Sequence, residues 1–132
     1  MTNVPGIFSC GNVLHIHDLA DWAAEEGERA GAAAAAYADG QPHVGGEAQD
    51  GLQPVQAGSG VRYVVPQYVS SDSGRALLSL RVTEPRGKTT ITATSGGQSI
   101  GSMTLRKAHP ATMVQLAVET ESLARPVEVT CS

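Results

Sequence analysis

Thr2-Asn3-Val4-Pro5-Gly6-Ile7-Phe8-Ser9-Cys10-Gly11-Asn12 is the stretch on which the reading of this chain turns. Val4-Pro5-Gly6 is a turn, and Ile7, Phe8 and Cys10 form the near-continuous apolar run of a short strand buried on both faces. Gly11 has no Cβ, so the backbone there can bend sharply and let a ligand come close. After a tight loop, Asp18 is expected to be the N-cap of a helix, with Asp21 three residues on in a capping-box-like arrangement. The helix should run to about Tyr37 and stop at Gly40 and Pro42. Along it, Ala20, Ala23, Ala24, Gly27, Gly31 and Ala34 recur at three- and four-residue spacings and give one face of very small residues. That face suits close contact with a sheet or a cofactor, while Glu25, Glu28 and Arg29 lie largely elsewhere.

The composition then changes. Residues 41–60 are rich in Gly, Gln and Pro with few large apolar side chains, which suits a surface linker. From Val61 onward apolar and polar residues alternate, and strands are expected over 61–65, 76–83, 89–94, 99–107 and 113–118, with a weaker one over 127–130. Glu84-Pro85-Arg86-Gly87 and Ser95-Gly96-Gly97 are turns between them. Short strands at intervals of about 8 to 12 residues suggest a small antiparallel β-sandwich or open barrel, immunoglobulin-like in pattern. The expected fold class is therefore α+β. A strand-turn-helix unit (1–40) is followed by a linker (41–60) and a small antiparallel β-sandwich-like domain (61–132).

At 132 residues the chain has the length of one ordinary domain, but much of its 41% apolar content is Ala and only 4% is aromatic. Large core side chains are scarce, so the N-terminal strand and helix are expected to need a partner surface. A net charge of −4 argues against a nucleic-acid groove. No apolar run approaches the ~20 residues of a membrane span, and the N-terminus lacks a basic-then-apolar signal. Cys10 and Cys131 stand near opposite ends with no C-x-x-C pair, which makes the cytoplasm the expected compartment.

Several chemistries compete for the polar residues. His15 and His17, two apart, could face one way on an extended segment and share a metal with Asp18. Such a site needs three well-placed ligands, and His43 is separated by the whole helix, so no metal is assigned. The preferred reading is that one histidine packs and the other caps the helix or faces a cofactor. Cys10 activated by His15 would be a nucleophile, but a thiol in an apolar strand is usually an inert small hydrophobe. Trp22 could stack on a ring, although an aromatic at helical spacing more often packs. Arg62, Arg75, Arg81, Arg86 and Arg106 read as solvated strand and turn residues.

The N-terminal pattern resembles the second FAD-contacting motif of the two-dinucleotide-fold, glutathione reductase-like oxidoreductases, in which T-x-x-P-G, an apolar strand and Gly-Asp precede a helix of small residues. The string Gly11-Asn12-Val13-Leu14-His15-Ile16-His17-Asp18-Leu19, followed by Glu25-Glu26-Gly27-Glu28-Arg29-Ala30, is similar to bacterial FAD-dependent NAD(P) oxidoreductases associated with glycerol-3-phosphate dehydrogenase systems. The specific part of the likeness covers residues 2–38 and a weaker part about 61–118. It implies a strand-helix fragment of an FAD-binding dinucleotide fold. It also implies cofactor contacts at Gly11 and Asn12 and at the main chain of His17, Asp18 and Leu19, where helix N–H groups would face the flavin pyrimidine carbonyl. Asn12 replaces the usual Asp, keeping one acceptor oxygen and losing the charge.

No G-x-G-x-x-G follows a strand, so the chain shows no cradle for the FAD pyrophosphate or for NAD(P). The expectation is a C-terminal fragment or subunit that completes the flavin site of a larger enzyme and is inactive alone. FAD would bind only with the missing dinucleotide-binding portion, and NAD(P) in the complete enzyme. The other reading is a noncatalytic binding or assembly module whose β-domain docks on a partner.

Overall fold

The computed structural model describes Thr2, Val4, residues 6–40 and 52–121, Leu123 and residues 125–132. The chain divides into two compact units, Met1–Asp50 and Gly51–Ser132. The protein is mixed α+β, with one α-helix and two sheets among the described residues.

In the second unit the strands are β1 (Leu52–Ala57), β2 (Val61–Val65), β3 (Tyr68–Ser70), β4 (Arg75–Val82), β5 (Thr89–Ser95), β6 (Gln98–Leu105), β7 (Val114–Glu119) and β8 (Val127–Cys131). One sheet has the order β3-β1-β8-β5-β6 and the other β2-β4-β7. The strands expected from alternation all form, each within two residues of its expected bounds. Gly96 and Gly97 make the β5–β6 turn with φ of 58° and 85°, as a two-residue hairpin demands.

Two expectations need correction. Residues 52–57 of the expected linker form β1, while 41–51 lie outside the described residues. The sheets are also not purely antiparallel, because β1 runs parallel to β8 with Val55 opposite Val127 and Ala57 opposite Val129. Pro54 disguised this strand, since proline removes a ladder donor. The strand tolerates it by splitting its pairing. Leu52, Gln53 and Pro54 pair only with β3, and Val55, Gln56 and Ala57 with β8.

The core follows from the period of two. In β8, Val127, Val129 and Cys131 are buried and Glu128 is exposed; in β7, Val114, Leu116 and Val118 alternate with Gln115, Ala117 and Glu119. These side chains join Ile91 and Ala93 of β5 and Leu78, Leu80 and Val82 of β4 in one hydrophobic cluster fed by both sheets.

β4 is central in its sheet and buried on both faces from Leu78 to Val82. Arg81, expected in solvent, is therefore buried. Its Nε donates to Tyr63 Oη at 3.0 Å and its Nη1 to the Pro110 carbonyl at 3.3 Å, offsetting the cost of removing a guanidinium from water. Arg62, Arg75 and Arg106 are exposed as expected, and Arg86 is half-buried, donating to Glu84 Oε1 at 2.8 Å.

In the first unit α1 spans Ala20–Ala38 and ends where expected, with Gly40 at φ 72° donating its N–H to the Tyr37 carbonyl; Pro42 lies outside the described residues. Its start differs from expectation. Leu19, extended at φ −128° and ψ 141°, holds the N-cap position, and its side chain makes no capping hydrogen bond. Asp18 sits one residue too early to be the cap. The segment expected as a buried strand is not one either. Cys10 is extended at φ −153° and ψ 170°, but neither sheet contains residues 7–10, and Ile7 is exposed. A strand exists only through a ladder with a neighbour, and the segment lies against the helix instead. The Phe8 ring meets Tyr37 edge-on, with centroids 6.1 Å apart.

Close approach of β6 to β7 makes a stability prediction. A Cβ at Gly101 would stand 2.6 Å from the Ala117 carbonyl oxygen and 2.9 Å from Val118 Cγ1, whereas one at Gly87 would meet open space. Gly101→Ala should lower unfolding stability by about 1 to 3 kcal/mol through overpacking. Gly87→Ala should stay within about 0.5 kcal/mol of the parent. Urea unfolding midpoints of the two variants decide the comparison.

Candidate functional site

The first unit holds a polar centre. Among its described residues His15 and Glu26 are buried, the His17 ring is nearly so, and no hydrophobic residue is buried. Glu26 lies on the third turn-face of α1 shared with Trp22, Ala23, Gly27, Ala30 and Ala34, the side toward which the N-terminal segment folds. The expected small-residue face was rotated from this one. Ala23, Gly27 and Ala34 belong to it, but Ala20, Ala24 and Gly31 are exposed, because the covered face is the one that carries Glu26.

The carboxylate gathers the loop. Its Oε2 accepts the Gly11 backbone N–H at 2.6 Å, and its Oε1 lies 2.8 Å from His15 Nε2. His17 Nε2 is 3.4 Å from Oε2, and the two imidazole rings meet edge-to-face with centroids 4.4 Å apart. Gly11 reaches this position because φ is 69°, a left-handed conformation that suits glycine, and it opens a single 3₁₀ turn, Gly11–Val13. A charge-assisted bond from a carboxylate to backbone N–H is among the stronger ones available.

Asn12 acts within the same loop. Its Oδ1 accepts the backbone N–H of His17 at 3.1 Å, a bond spanning five residues that closes the turn. The expected cofactor residues Gly11, Asn12, His17, Asp18 and Leu19 are thus drawn into one short loop before α1, and Asn12, Asp18 and Leu19 are exposed. The loop is compatible with a flavin edge in two respects. The Leu19 side chain makes no capping hydrogen bond at the start of α1, and a Cβ at Gly11 would meet nothing within 4 Å, so the backbone at Gly11 is approachable. The role expected for Asn12 changes in one point, because its oxygen already accepts one bond from the chain, which leaves its second lone pair and its NH2 for other partners.

The packing half of the histidine reading holds for His15, which is buried. Neither histidine holds the N-cap position, which is Leu19, and both rings converge on Glu26, a residue not singled out above. Nor does Asp18 join them; the three residues whose ligand atoms all lie within 4.8 Å of one another are His15, His17 and Glu26. His43 lies outside the described residues. His15 Nε2 is directed at Glu26, not at Cys10, and Cys10 and Cys131 are free thiols. Trp22 is half-buried on the covered face of α1, in keeping with packing. Glu26 was visible in principle, as an acid at three- and four-residue spacing from Trp22, Ala23 and Ala30 on an otherwise small-residue face. Only the folding back of the loop shows that this face is covered.

A recess of about 280 Å³ in the second unit is lined by Met103, Leu105, Lys107, Ala108, His109, Thr112, Met113, Val114 and Gln115. Its lining mixes apolar side chains with the polar residues Lys107, His109, Thr112 and Gln115. No helix among the described residues is long and apolar enough to cross a membrane. No family model, curated protein or solved structure matches the chain.

The loop geometry predicts an asymmetry at Asn12. Asn12→Ala removes the acceptor of the His17 N–H and should weaken loop closure by about 1 kcal/mol. Amide hydrogen exchange at His17 should then quicken several-fold. Asn12→Asp, which keeps an acceptor oxygen in place, should leave that amide protected.

Proposed function

We propose that the chain is a C-terminal portion or subunit of an FAD-dependent oxidoreductase, completing the flavin site of a larger enzyme and inactive by itself. On this reading the first unit is a strand-helix fragment of an FAD-binding dinucleotide fold, and the second a small β-sandwich-like domain. The observation that carries it is the inversion of the first unit. Ile7, Val13, Leu14, Ile16 and Leu19 are all exposed, and no described hydrophobic residue of the unit is buried. Exposed apolar residues packed so densely along one short loop mark a surface meant for burial.

A parent flavoprotein supplies the missing cover in a specific way. Cys10 is extended and residues 7–10 belong to neither sheet, and a neighbouring strand of a dinucleotide fold would give them a ladder. Gly11, the Asn12 side chain and the main chain of His17, Asp18 and Leu19 would then hold the ribityl and pyrimidine edge of FAD. The flavin supplies the redox chemistry. The residues of this chain would orient it, and the N-terminal end of α1 would stabilise negative charge on the reduced ring. NAD(P) would be the nucleotide partner of the whole enzyme, bound on elements other than these. The two free cysteines suit a cytoplasmic setting.

The second reading, a noncatalytic assembly module, draws on a different observation. Residues 51–132 hold every described buried hydrophobic side chain, so this unit carries its own core without a cofactor.

Two measurements discriminate the readings. Alone, the chain should show no submicromolar FAD complex in a flavin-fluorescence titration, because it lacks a pyrophosphate cradle. With a partner bearing the dinucleotide folds, FAD should be retained on gel filtration, and Asn12→Ala should weaken retention by about 1 to 3 kcal/mol through an unpaired buried group. Asn12→Asp should retain flavin at least as well as the parent. A stable chain that binds neither flavin nor such a partner supports the assembly module.

A further inference from the structure

The geometry points to a divalent transition-metal site formed by His15, His17 and Glu26, which clamps the loop after Gly11 onto α1. The inference goes beyond the flavin reading and needs neither FAD nor a partner protein.

Three observations converge on it. The donor set is two imidazoles and one carboxylate, a combination that zinc accepts in sites with a fourth, open position and that suits other first-row divalent ions with open positions. The donor atoms already cluster within 4.8 Å of one another. Zinc bonds of about 2.0 to 2.1 Å place tetrahedral ligand atoms about 3.3 Å apart. His17 Nε2 and Glu26 Oε2 are 3.4 Å apart, near that edge length, whereas His15 Nε2 and Glu26 Oε1 at 2.8 Å form a direct hydrogen bond that an ion would replace.

His17 supplies the second argument. Its side chain is only 4% exposed, its Nδ1 is buried with no hydrogen-bond partner among the described residues, and its Nε2 stands 3.4 Å from the carboxylate, beyond the usual range for an N–H···O bond. Buried polar groups are nearly always satisfied, and an imidazole with neither nitrogen in a hydrogen bond of ordinary length calls for a ligand. An ion on Nε2 would supply one.

The third observation is the support behind the carboxylate. Metal-binding carboxylates are themselves held by hydrogen bonds, and the Gly11 N–H donating to Glu26 Oε2 at 2.6 Å holds the carboxylate with an oxygen toward each ring. Two of the three ligands come from the His15-Ile16-His17 segment, whose rings meet with centroids 4.4 Å apart, and the third from a helix face. With mixed nitrogen and oxygen donors the site favours zinc-like ions over magnesium or calcium, which prefer oxygen alone.

Calorimetric titration of the full 132-residue chain with ZnCl2 tests the proposal. The expected result is one ion per chain with a dissociation constant of about 10 µM or tighter, undiminished by millimolar Mg²⁺. His17→Ala and Glu26→Gln should each weaken binding on the order of tenfold or more. His109→Ala, a change in the other unit, should leave it unchanged. Because His17→Ala can disturb the loop, Co²⁺ titration of the unaltered chain gives a separate readout. Visible d–d bands of a four- or five-coordinate ion, saturating at one equivalent, support the site. No stoichiometric Zn²⁺ binding, Co²⁺ bands of an octahedral aquo type alone, or an isotherm indifferent to both His17→Ala and Glu26→Gln would overturn it.

Discussion

The N-terminal unit depends on one buried carboxylate. A small-residue helix and a loop of outward-facing apolar side chains cannot hold together by burial, and Glu26 takes over that task through the Gly11 N–H, His15 and the neighbouring His17 ring. Removing a carboxylate from water is costly unless its oxygens are occupied, so the loop must fold back far enough to occupy them. Glycine at position 11 follows from this constraint, since the N–H that reaches Oε2 belongs to a residue at φ 69°. The bond from His17 N–H to Asn12 Oδ1 then closes the turn between the two anchored points.

The second unit is built on the opposite principle. Its valines, leucines and Ile91 come from two sheets into one cluster, and its one buried guanidinium among the described residues, Arg81, is carried on the outer face of a central strand where Tyr63 and Pro110 receive it. A hydrophobic core of this kind is indifferent to partners, whereas the polar anchor of the first unit leaves apolar side chains facing outward. The two units therefore carry different parts of the proposed function. Apolar cover and a flavin edge belong to the loop and helix, and self-sufficient folding belongs to the β unit.

The carboxylate and the cofactor reading also act on different surfaces of the same loop. The His15 and His17 rings and Glu26 turn toward the helix, while Asn12, Asp18 and Leu19 face out at the start of α1. An ion at the inner cluster would stiffen the loop without competing for the outer face, so metal and flavin would be additive demands on one short segment. His17 is the residue where they meet, with its ring inside and its main-chain N–H held by Asn12.

Periodicity by itself determined the strands from β2 onward that alternate, the helix and its stop at Gly40, and the change of character between the two halves of the chain, because these are local properties of side-chain spacing and backbone freedom. Pairing was decided only in three dimensions: β1 with its Pro54 became a strand because β3 and β8 each complete half of it, and residues 7–10 did not because no described strand lies beside them. The same holds for the buried polar groups. Arg81 and Glu26 look solvent-facing in a sequence, and only tertiary contacts bring Tyr63 to the one and two histidines and a backbone N–H to the other, since hydrogen-bond partners distant along the chain leave no periodic trace in it.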